Sequence, residues 1–63
     1  MEDNIKVGNV VSLQFDAIYA KVLEIDINKI LVKEVKMRIY DYIETDIKFC
    51  IDECDILNNF GNI

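Results

Sequence analysis

Residues 30–39 read Ile30-Leu31-Val32-Lys33-Glu34-Val35-Lys36-Met37-Arg38-Ile39, and the way their apolar side chains alternate decides the fold. Ile30 and Val32 share one phase, whereas Val35, Met37 and Ile39 take the other against Glu34, Lys36 and Arg38. A period of two is that of a half-buried strand. The switch near Lys33 and Glu34 predicts a bulge, or a strand passing from one side of a barrel to the other. Upstream, Val11, Leu13 and Phe15 alternate with Ser12 and Gln14. The stretch 18–25 reads as their antiparallel partner, with Ala20 and Val22 inward, Lys21 outward and a phase shift over 23–25. Downstream, Ile47, Phe49 and Ile51 stand opposite Lys48 and Cys50 as a fourth strand. The predicted core is Val11, Leu13, Ala20, Val22, Val32, Phe49, Ile51 and Leu57, while Val10, Leu23 and Ile43 fall on the outward phase.

The composition agrees. Eleven Ile and six Val stand against four Leu and two Ala, and branched side chains favour the pleated surface over the helix. Sixty-three residues make one small domain, which buries only about 60% of its unfolded surface. Its two ends, 1–4 and 58–63, read as flexible. Proline is absent and the two glycines are Gly8 and Gly61, so turns fall to Asn and Asp. The expected breaks are Asp3 with Asn4, Gly8 with Asn9, Asp16 with Ala17, and the stretches 26–29, 41–46 and 58–62. After Ile51, Asp52 can start a helix, with Asp55 three residues on and Ile51 stapled to Ile56. Two readings stay open: a short helix through Phe60, or one helical turn at 52–54 followed by a closing strand at 55–57. The second has the advantage of covering a bare sheet edge. The expected fold is therefore all-β, a small antiparallel barrel of about five strands with a C-terminal helical turn or short helix.

Several runs carry a resemblance. Lys6-Val7-Gly8-Asn9-Val10-Val11, Tyr19-Ala20-Lys21-Val22-Leu23-Glu24-Ile25, Lys29-Ile30-Leu31-Val32 and Phe49-Cys50-Ile51-Asp52-Glu53 together resemble small SH3-like barrels. The layout is similar to Tudor-type and KOW-type modules and to short barrel proteins of phages of gut bacteria, over roughly residues 5 to 57. Tyr40-Asp41-Tyr42 looks like the Asp-Tyr pair of the Tudor turn, with Ile43 where the glycine stands. Only Tyr19, Tyr40 and Tyr42 are placed to contribute to an aromatic cage of that family. The resemblance implies the fold and not the ligand.

The chemistry of the side chains narrows function. There is no His, and Ser12 and Thr45 are the only hydroxyl residues besides the tyrosines, so no hydroxyl nucleophile can be paired with an imidazole base. The chain is expected to be no enzyme and to hold no cofactor. Cys50 and Cys54 lack the further Cys or His ligands that a metal needs unless a second copy supplies them. They read as structural, one outward on a strand and one packed at the turn. Asp41, Glu44, Asp46, Asp52, Glu53 and Asp55 lack the ordered ligands and glycine of a calcium loop, and read as a solvated acidic face. No apolar run approaches the roughly 20 residues of a membrane span. With two closely spaced cysteines and no visible export signal, the expected location is the cytoplasm.

Charge is unevenly placed. Residues 1–38 carry six basic and six acidic groups, and residues 39–63 carry Lys48 against six acids, which gives the net charge of −5. An acidic face of this kind suits a basic protein surface. The expected partner-binding residues are Arg38, Tyr40, Tyr42 and Glu44 on a long loop between the third and fourth strands, continuing into Asp46, Asp52, Glu53 and Asp55. Tyr and Arg are the residues enriched at binding hot spots. The expected function is a non-catalytic binding module, similar to phage proteins that bind and inhibit a host protein, and a homodimer. The alternatives are a nucleic-acid-binding barrel, with Lys33, Lys36 and Arg38 as a phosphate strip, and an oligomeric sponge for a small anionic nucleotide.

Overall fold

Strand-forming residues separated by Asn and Asp turns give five strands in the computed structural model, which describes residues 5–15 and 17–63. They are β1 (Val10–Leu13), β2 (Tyr19–Ile25), β3 (Ile30–Met37), β4 (Tyr42–Ile51) and β5 (Ile56–Asn59), with one 3₁₀ turn at Glu53–Asp55 before β5. β1 to β4 form an antiparallel meander and β5 returns to pair with β1, so the sheet order is β4-β3-β2-β1-β5. Of the two readings of the C-terminal segment, the structure takes the turn followed by a strand. No helix among the described residues is long and apolar enough to cross a membrane.

The molecule measures 31 × 26 × 20 Å, and a flat single sheet would be about 10 Å thick. The sheet is therefore strongly coiled, with its core on the concave side. There Val11 and Leu13 of β1, Ala20 and Val22 of β2, Ile30 and Val32 of β3 and Ile51 of β4 are buried, with Ile5, Ile18, Phe49 and Ile56 packed against them. The pairs Val11 with Ala20, Val22 with Val32, and Val32 with Phe49 lie directly across from one another. The sheet remains open, with β4 and β5 as its edges.

Register shifts mark the bends. One lies between Val22 and Glu24, at the phase change expected over 23–25, and one between Lys33 and Val35, where residues 30–39 switch phase. A third lies between Ser12 and Leu13, opposite Asn58 and Ile56. It skips Leu57, which is 61% exposed, and this corrects its expected core place: the bulge hands the inward position to Ile56. Phe49 is half-buried rather than buried. Val10, on the expected outward phase, is fully buried, and its backbone is tied to the C-terminal segment: Phe60 N–H donates to its carbonyl and its own N–H donates to the Gly61 carbonyl, both at 2.8 Å.

Three further expectations change. The segment 41–46 is not a long loop: the turn closes at 38–41 through Arg38 N–H to the Asp41 carbonyl at 2.8 Å, and β4 begins at Tyr42. Cys54 is exposed like Cys50, not packed at the turn. The tail read as a loose end is held by those bonds to β1 and by Asn62, whose Oδ1 accepts from Asn9 Nδ2 at 2.9 Å. The breaks at Asp3, Asn4 and Asp16, and the flexible start at 1–4, lie outside the described residues.

Candidate functional site

The eight residues expected to bind a partner fall into two groups at opposite ends of β4, a ten-residue strand whose straight length is about 30 Å. At one end is the β3–β4 turn. The Arg38 guanidinium grips the Asp41 carboxylate with two bonds, Nε to Oδ1 at 2.7 Å and Nη2 to Oδ2 at 2.8 Å. This fork-to-fork pair fixes the turn geometry. It raises the Arg38 pKa and holds the Asp41 carboxyl below the usual carboxylate range, in each case first through the hydrogen bond. Ile39 and Tyr40 form the tip and project into solvent, 88% and 96% exposed.

Next along β4, Tyr42 and Glu44 face the convex side of the sheet. Glu44 Oε2 accepts from Lys21 Nζ at 3.0 Å, and its Oε1 lies 3.5 Å from Lys33 Nζ. The Lys21 hydrogen bond, then the charges of Lys21 and Lys33, pull the Glu44 carboxyl below its ordinary range, and Glu44 in turn raises the Lys21 pKa. Lys21 also stands over the Tyr42 ring, 5.9 Å from its centroid. Asp46 is exposed on β4, in the stretch where β4 leaves its register with β3.

The remaining acids lie past the far end of β4. Asp55 Oδ2 accepts the Asp52 N–H at 3.0 Å, and the Asp55 N–H donates to the Asp52 carbonyl at 2.9 Å. Asp55 therefore caps the 3₁₀ turn, whereas Glu53 is exposed within it. A shallow depression of about 280 Å³ beside this turn is lined by Lys29, Cys50, Ile51, Asp52 and Asp55, which is below the size usual for small-molecule sites. No three metal-ligating side chains converge among the described residues.

The cationic strip expected at Lys33, Lys36 and Arg38 does not form. Lys36, three residues from Lys33 on β3, falls on the opposite face of the sheet and pairs with Ile43, and Arg38 is engaged by Asp41. Sequence reasoning missed a different alignment: Lys21 lies directly across from Lys33, and Lys33 directly across from Lys48. It also missed the pairing of Tyr19 with Phe60, whose ring centroids are 6.2 Å apart. Both depend on which residues face each other across strands, and spacing along the chain carries no signal for that. No protein-family model, curated protein or solved structure matches the chain.

Proposed function

We propose that the chain is a non-catalytic, SH3-like binding module of the cytoplasm that docks onto a host protein through its β3–β4 turn and works as a homodimer. The observation that carries this reading is the pair Ile39 and Tyr40, almost wholly in solvent at the tip of a turn clamped by Arg38 and Asp41. Presenting two large side chains on a fixed turn lowers the ordering cost of binding, and aromatic anchors dominate interface energetics. Strand order, with β5 beside β1 after a 3₁₀ turn, supports the SH3-like assignment. The state of the two hydroxyl residues other than the tyrosines suits a binding role: the Ser12 hydroxyl is buried, and Thr45 Oγ1 donates to the Glu34 carbonyl at 3.0 Å.

The test is affinity capture from lysate of the source cell with tagged wild type, Tyr40→Ala and Glu53→Lys. Loss of an aromatic anchor should cut recovery of the partner about tenfold or more through faster dissociation. Glu53→Lys should slow association if the partner is basic. A protein recovered equally by wild type and Tyr40→Ala does not dock at this turn.

A further inference from the structure

The convex face of the sheet holds an arrangement that the protein-docking turn does not use. Lys21, Lys33 and Lys48 occupy successive directly opposed positions on β2, β3 and β4. Side chains so opposed have Cβ atoms about 5 Å apart, and like charges there oppose sheet formation. Among the described residues one carboxylate answers them: Glu44, which pairs with Lys21 and Lys33, while Lys48 has no ion pair. A chain of net charge −5 thus concentrates three cations against one paired anion in a single row.

Aromatic rings adjoin that row. Tyr42 lies beneath the Lys21 ammonium. Tyr19, two residues before Lys21 and so on the same face, packs on Phe60, and both rings are more than a third exposed. The floor between them is filled, because Val10, Ser12 and Val35 are buried. Among the described residues this is a platform rather than a pocket, so a small ligand would find nothing there to enclose it. An acidic peptide would use the cations and leave the rings idle. A duplex would hide its bases from the rings, and the described residues hold no α-helix to enter a groove.

We propose that this face binds single-stranded nucleic acid, with phosphates along Lys21, Lys33 and Lys48 and bases stacked on Tyr19 with Phe60. A cationic track beside stacking rings is the arrangement by which proteins hold single strands without reading sequence. Tyr40 takes no part, so this site and the protein-docking turn stand or fall separately.

The experiment is fluorescence anisotropy of a labelled oligo(dT) of about 12 nucleotides with the full chain, starting near 20 mM salt. Three phosphate contacts predict a slope of log affinity against log salt of about −2, which Lys48→Gln should reduce by about 0.7. Lys48→Arg should restore binding, Tyr19→Leu should weaken it about fivefold or more, and Tyr40→Ala should leave it unchanged. Far-UV circular dichroism of each variant checks that the sheet is intact. The proposal is overturned by no binding at low salt, by a slope that Lys48→Gln does not alter, or by equal binding of a duplex. Displacement of the strand by inorganic phosphate or poly-glutamate as readily as by unlabelled oligonucleotide overturns it too.

Discussion

Asn9 joins the two ends of the described chain through its side chain. Its Oδ1 accepts from the Lys6 N–H at 2.9 Å and from Asn59 Nδ2 at 3.0 Å, while its Nδ2 donates to Asn62 Oδ1 at 2.9 Å. It is almost completely buried, and the three bonds it makes are partly shielded from water. The preceding Gly8 has φ of +96°, and a Cβ there would sit 3.3 Å from Asn62 Oδ1, so the turn needs glycine both for its backbone and for its neighbour. Replacing Asn9 with Leu strands the Lys6 N–H and two amide groups. The expected loss is about 1–3 kcal/mol, the cost of unsatisfied buried polar groups, read by urea denaturation. A change under about 0.5 kcal/mol would show that the network adds nothing to stability. The sequence marks Gly8 and Asn9 as a turn, but Asn59 and Asn62 read only as a polar tail, because a partner some fifty residues away leaves no local trace.

At the scale of the element, the β3–β4 hairpin shows why acidic residues mislead. Glu44 and Asp46 look like turn material, yet they belong to β4, because Lys21 and Lys33 on the neighbouring strands hold Glu44 in place. The alternation of Ile30, Val32, Phe49 and Ile51 was visible because a strand's inward phase repeats every two residues. The cross-strand charges were not, since they depend on register. The same ion pairs make the hairpin acid-sensitive. Asp41 and Glu44 both titrate below their ordinary range in the folded chain. Each therefore adds stability above its unfolded pKa, about 4, and that contribution is lost as pH falls through the lower folded value. Arg38 stays charged throughout. Lys21, held above its ordinary value, adds stability below its unfolded pKa that is lost only when strongly alkaline pH passes its folded one. The melting temperature at low salt should fall below about pH 5, and less steeply in Glu44→Gln. A melting temperature equally steep in wild type and Glu44→Gln would remove Glu44 from this account. Added salt should flatten the dependence, because the pairs are exposed.

The whole molecule has more apolar surface than its coiled sheet can bury. Ile43 and Ile47 of the edge strand β4, Leu57 of the edge strand β5, and Val7 and Ile63 are each about half exposed or more, and a small chain has a high ratio of surface to core. Edge strands invite pairing with a second chain, yet β4 is ill suited to it. Its ladder with β3 breaks off between Glu44 and Lys48, and the Ile47 N–H is already spent on Thr45 Oγ1 at 3.1 Å. A bulge of this kind turns the edge away from strand addition. The proposed homodimer is therefore expected to form by packing of side chains around Ile43 and Ile47 rather than by extending the sheet. On this account Ile47→Lys abolishes the dimer while the monomer keeps its fold, since Ile47 is outside the buried core. Thr45→Val, which frees the Ile47 N–H, should not strengthen it. Sedimentation equilibrium at high micromolar concentration measures both. A wild-type mass of 7.3 kDa would refute the dimer, and a dimer untouched by Ile47→Lys would place its interface away from β4.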